Sequence, residues 1–437
     1  MKFNLFSILL LFIFCFSSCK EKETANESLN RQAKHYIADY DELVATLTTE
    51  HPTLYEFTSK ENFDKKVIQL RSQINNSTSK KDFIWILSEL IATVGCGHTS
   101  LGFFNQQRAL LTPKEYFPLL TRFIDQKLYV IDNLINEDTV NVGDEITQIN
   151  GKSIAEIMDT IYAHINSQAS IKSSKKELFN SYNTSYLAYA LDFPETYTIK
   201  VAGSDDTIVL KSLENKPPDA PLFSKKHPCQ KDFCLTEANK ETALLTLRNF
   251  AYYGRKTEVF TDFLDDSFKE IKDKGYTNLI IDVRGNLGGP GAASIHLLKH
   301  TLQKPFKYFV EDGTDDDRRG MQQPFENNFN GKIAFVMNGL GNSTVGHLAS
   351  VYKDKRRVVF VGETLGSNQF CTANQKQFQL THTDFHYTVA RNVFVTDVQE
   401  KNTKATITPD IKIEQSIEDY LSDKDVVLEK ALELMEE

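Results

Sequence analysis

Apolar residues in this chain follow two different periods, and where the period changes the chain changes character. Phe83, Ile84, Ile86, Leu87, Leu90 and Ile91 keep helical spacing, with Ser79 and Asp82 placed as a capping pair and Gly95 as the stop. From Ile146 to Ile149 apolar and polar positions alternate at strand period and turn on Asn150-Gly151, a strong hairpin signal. Ser153 and Glu156 form a second capping pair, and Ile154, Ile157, Met158, Ile161, Tyr162 and Ile165 share one helix face. Three compact apolar runs follow that read as buried strands: Leu279 to Ile281, Ile333 to Met337 and Val358 to Val361.

Each of these runs ends in a glycine-bearing turn. The first leads into Asp282-Val283-Arg284-Gly285-Asn286-Leu287-Gly288-Gly289, after which Pro290 opens a helical pattern (Ala292, Ile295, Leu297, Leu298). Glycines at the mouth of a helix leave bare N–H groups at its positive end, suited to holding negative charge. The second leads into Asn338-Gly339-Leu340-Gly341-Asn342 and then Ser343, with Val345, Leu348, Ala349 and Tyr352 again at helical spacing. Ser343 is therefore expected on a sharp strand–helix turn, hydroxyl exposed, with the Thr344 N–H pointing the same way. The third leads into Gly362-Glu363-Thr364-Leu365-Gly366.

These segments, in this order, resemble the carboxyl-terminal-processing (tail-specific) serine peptidases, in their tricorn-like branch. The resemblance implies an α/β multidomain chain: an N-terminal helical region, a PDZ-like β-rich module and a catalytic domain of the ClpP/crotonase-like type. It puts Ser343 in the place of the nucleophile. Gly97-His98-Thr99, after the Phe83–Ile91 helix, is similar to the stretch whose histidine reaches over to that serine, so His98 is the expected base. The oxyanion hole is expected from the N–H groups of Gly288 or Gly289 and Thr344, with Asp282 and Arg284 bracing the glycine loop.

The chain departs from the family pattern in two places. A Ser–Lys dyad would need a lysine just after Gly366, where Ser367 and Asn368 stand, and no lysine follows before Lys376. A Ser–His mechanism is what the residues allow. The family's acid lies shortly before a Pro-Asp pair, present as Pro409-Asp410; Glu400 is the candidate.

Composition fits this outline. The chain has 437 residues, 41% hydrophobic and 25% charged, enough for two or three domains. Its net charge of −9 without a basic stripe argues against nucleic acid. Lys2, an apolar run from Phe3 to Phe16 and Ser17-Ser18-Cys19 resemble a bacterial lipoprotein leader. Cys19 would then carry lipid and hold the protein to the cell envelope.

The expected domains are a leader at 1–19, a flexible tether at 20–32, the helical region at 33–108, the PDZ-like module at 109–213 and the catalytic domain at 214–437. PDZ modules bind peptide termini by strand addition, so the expected partners are protein or peptide substrates, through their C-termini where that module engages them. Cys229 and Cys234, with four residues between them, can close a small loop, and Cys96 and Cys371 flank the proposed active-site segments; pairing is open. No metal and no cofactor are expected: there is no Cys-x-x-Cys or His-Glu-x-x-His, and His382 and His386 lack a third ligand. Two other readings remain. An α/β-hydrolase-type esterase would take its histidine from beyond Ser343, at His382 or His386. A peptide-binding envelope protein would keep the fold without turnover.

Overall fold

The computed structural model describes residues 9–102, 104–221, 226–312 and 319–436, with side chains from Asn30 on, Glu311 and Asp312 excepted. The chain is a mixed α/β, multidomain protein, as expected. Its C-terminal half is built on a six-stranded sheet ordered Ile411–Lys412, Val359–Gly362, Lys332–Met337, Asn278–Asp282, Thr242–Leu247 and Phe233–Glu237. All neighbours are parallel except the last pair.

Residues of the central strands alternate between two cores, which explains their continuous apolar composition. Leu245, Leu279, Ile281, Ile333 and Phe335 face the helices Lys256–Lys274, Gly291–Thr301 and Thr344–Lys355. Leu244, Ile280, Ala334 and Val336 face the C-terminal helix Val426–Glu436.

The register sets the site. Asp282 pairs with Val336, so the two central strands end side by side and their turns open at the same edge. Asn342 N–H donates to Asn286 O at 3.0 Å and ties the turns together. In a parallel sheet this carboxyl edge is where ligands bind.

The N-terminal half has its own core. Helices Lys60–Arg71 and Lys80–Val94 pack with the long helix Leu9–Glu50 and with an antiparallel sheet made chiefly of Leu120–Ile124, Lys127–Asp132, Glu145–Ile149 and Thr198–Val201. The capping pairs Ser79/Asp82 and Ser153/Glu156 form as expected, and Asn150 and Gly151 turn with φ of 47° and 77°. The helical region and the β-rich module share this one core, with no break near residue 108. Leu380, Phe385, Tyr387 and Val389, from the hairpin Lys376–Gln379/His386–Val389 of the C-terminal half, are buried in it too.

Residues 1–8 of the expected leader lie outside the described residues, as does the Cys19 side chain. Residues 20–32, expected as a flexible tether, run within the helix Leu9–Glu50 instead. The stretch contains neither glycine nor proline and carries Glu, Lys, Ala, Leu, Gln and Arg, all good helix formers. Among the described residues no helix is long and apolar enough to cross a membrane.

Candidate active site

Ser343 caps the helix Thr344–Lys355 with φ 55° and ψ −121°, a conformation rare for a side-chain-bearing residue. It is held there by close packing. A Cβ built on Gly288, whose own φ is 94°, would stand 2.6 Å from Ser343 Cβ and 2.7 Å from Asn342 O. Only glycine admits that approach. Asn342 Oδ1 accepts from the Ser343 N–H at 2.8 Å, and Asn338 Oδ1 accepts from Gly285 N–H and Leu340 N–H.

His98 reaches Ser343 from the other core. Its Nε2 lies 3.0 Å from Ser343 Oγ. The loop that carries it is fixed on both sides. Ser100 exchanges backbone hydrogen bonds with Thr388 at 3.1 and 2.8 Å, Thr99 Oγ1 accepts from Ala390 N–H, and Asn166 Nδ2 donates to Gly97 O and Thr99 O. The hairpin buried in the N-terminal core is thus what aims the histidine. Burial lowers the His98 pKa to about 4, so the ring is neutral at neutral pH and Nε2 can accept the serine proton. Its Nδ1 is buried without a hydrogen-bond partner among the described residues.

That unpartnered nitrogen bears on the expected acid. Glu400 does not meet His98: it is exposed, and its carboxylate accepts from Asn402 N–H at 2.7 Å. The two-residue reach from Glu400 to Asn402 closes a local turn, which removes Glu400 from the site as placed here. His382 stacks on His35, His386 is exposed, and neither bonds Ser343. Lys376 pairs with Glu50 at 3.9 Å, while Ser367 Oγ donates to Gly341 O.

The oxyanion donors are only partly as expected. Gly288 lies against Ser343, but its N–H donates to Asn286 Oδ1 at 2.8 Å. The Thr344 N–H makes no hydrogen bond among the described residues and opens at the start of its helix, as a first-turn N–H does. Gly289 is pressed on the Phe250 carbonyl, where an added Cβ would come within 2.1 Å.

Asp282 and Arg284 brace the glycine turn within a larger network. Arg284 holds Asp282 and Asp425 bidentately, and His227 Nε2 stands 3.1 Å from Asp282. Burial pushes the Asp282 carboxyl up, but Arg284 and His227 outweigh it and hold it well below the usual carboxylate range. The sequence reading missed His227 and Asp425, which are distant in the chain and belong to no motif. It also missed His347, one turn beyond Ser343, buried with neither ring nitrogen partnered among the described residues and its pKa lowered to about 3 by burial and by His98. Cys229 and Cys234 form a disulfide with Cα atoms 6.1 Å apart; Cys96 and Cys371 are free and buried.

Over residues 241–413 the sequence matches peptidase family S41. No curated protein matches the chain. Among solved structures, a serine-to-alanine mutant of CPAF superposes with a TM-score of 0.63 at 11% identity, covering 92% of this chain and 98% of that one. Mature CPAF complexed with lactacystin gives 0.62 at the same identity and coverage. At such low identity these structures speak for the fold; the sequence match speaks for the domain.

Proposed function

We propose that this chain, whose residues 241–413 match peptidase family S41, is a serine-type peptidase that cleaves peptide bonds with Ser343 as nucleophile and His98 as base. The observation that carries this reading is the 3.0 Å contact between His98 Nε2 and Ser343 Oγ. A serine hydroxyl needs an adjacent base to attack, and a histidine neutral at working pH is one. His98 takes the Ser343 proton as Oγ attacks the carbonyl, then gives it to the leaving amine, and water clears the acyl-enzyme.

The Thr344 N–H serves the oxyanion. Gly288 joins it once Asn286 releases its N–H, a small turn movement on substrate binding. The Ser343 backbone supports this role, since its strained φ and ψ present Oγ at the open edge of the sheet.

Among the described residues neither His382 nor His386, the histidines the esterase reading calls on, bonds Ser343, whose hydroxyl partner is His98. We further propose that the β-rich module at 109–213 is PDZ-like and feeds substrates by their C-termini, and that lipid on Cys19 holds the protein to the cell envelope. A serine-directed fluorophosphonate probe tests the central proposal. It should label the intact protein and not Ser343→Ala; equal labelling of both would overturn it.

A further inference from the structure

The helix Gly291–Thr301, which follows the glycine turn, carries His296 and His300 at i and i+4. Such residues lie on one face, one above the other. Asp265 projects toward them from the neighbouring helix Lys256–Lys274. Both Nε2 atoms stand 2.7 Å from the same oxygen, Asp265 Oδ1. The three ligand-capable atoms all lie within 4.8 Å of one another.

The surroundings are those of a built site. Phe268 stacks on the His300 ring at 4.3 Å, and Phe325 lies 4.5 Å from His300 and 5.1 Å from His296. These contacts fix the imidazole planes before any ion arrives. His300 is buried and His296 half-buried, whereas Asp265 is exposed, so an ion can enter from solvent and water can complete its shell. Hydrolysis at Ser343 uses none of these residues.

We propose that Asp265, His296 and His300 bind a divalent cation of the zinc class. Two imidazoles and one carboxylate suit zinc, copper or nickel rather than calcium or magnesium, which take oxygen ligands. On binding, the Nε2 hydrogens that now point at Oδ1 move to Nδ1, and the Nε2 lone pairs and Oδ1 bind the ion. The ion clamps helix Gly291–Thr301, which begins two residues after Gly289, to helix Lys256–Lys274. The inference is independent of the Ser343/His98 reading.

Zinc titrated calorimetrically into intact, chelator-treated protein should bind at one equivalent, and saturating zinc should raise the melting temperature. Cobalt should give the visible absorption of a four-coordinate site. His296→Ala should weaken zinc binding by about tenfold or more, at least the loss that even outer-shell changes produce. Asp265→Asn, an exposed and isosteric change, reports the same loss where His296→Ala fails to fold. His386→Ala, exposed on the distant hairpin, should bind zinc as the unaltered protein does. No zinc bound by the intact protein, or equal binding by it and Asp265→Asn, would overturn the site.

Discussion

His98 and Ser343 are 245 residues apart in sequence, and 3.0 Å separates Nε2 from Oγ. One sits on the loop after an N-terminal helix, the other on a turn of the catalytic sheet, and they meet because a catalytic-half hairpin is buried in the N-terminal core. The proposed nucleophile and base therefore belong to different cores, and their contact exists only when those cores are docked.

If the two act as one unit, Ser343→Ala and His98→Ala should each lower kcat/KM for peptide hydrolysis by about a thousandfold or more. The double variant should be little worse than either, because members of one catalytic unit are not additive. Multiplicative losses, measured on purified folded proteins, would mean that the two do not work together.

Glu400 is exposed and bonded within its own turn. Glu400→Gln should then change kcat/KM by less than about threefold. A loss near ~10⁴-fold, as when a triad loses its orienting acid, would show that the carboxylate joins His98 Nδ1 in the working complex.

Much of this was legible in the sequence because it is local. The Ser79/Asp82 and Ser153/Glu156 caps, the Asn150-Gly151 turn and the buried strands ending at Asp282 and Met337 are each written within a dozen residues. His98 and Ser343 were reached through a family resemblance, since no periodicity links positions so far apart. The misses follow from the same limit. Asp425 completes the Arg284 network and Asp265 meets His296 and His300, both through tertiary placement. The i, i+4 pair His296/His300 was passed over, because nothing in the sequence places Asp265 beside it.

Gly288 should tolerate no side chain. Alanine there meets Ser343 Cβ at 2.6 Å and must also hold φ near 94°, a strain of about 1–3 kcal/mol. The turn should relieve it by moving away from Ser343. Gly288→Ala should therefore keep its circular dichroism spectrum and lose peptidase activity by about a hundredfold, the scale of one lost oxyanion donor. Activity within a fewfold of the unaltered protein would show that Gly288 can move without cost to the site.

The proposed lipoprotein leader makes a separate prediction. Small residues before Cys19 at the end of an apolar run motivate lipidation. Expressed in a bacterial host with its leader, the protein should sediment with membranes, and Cys19→Ala should shift it to the soluble fraction. Equal recovery of both in the soluble fraction would remove the anchor.

Several buried histidines make stability depend on pH with a definite sign. Burial lowers His51 and His98 to about 4 and His164 and His347 to about 3. In the unfolded chain each titrates near ~6.5. Between those values the unfolded state binds more protons, so stability is full above about pH 6.5 and falls as the pH drops toward 4. One histidine contributes a slope of at most about 1.4 kcal/mol per pH unit. Four acting together should exceed that, which urea denaturation at half-unit steps would measure. Activity should follow a different course. Because His98 stays neutral down to about pH 4, kcat/KM measured in short assays should hold through pH 5.5 rather than halving near ~6.5 as an ordinary histidine base would. An acid limb centred near 6.5 would place His98 in a more solvated working state than the one seen here, and His98→Ala stability data over the same range would tell whether the other three histidines still titrate low.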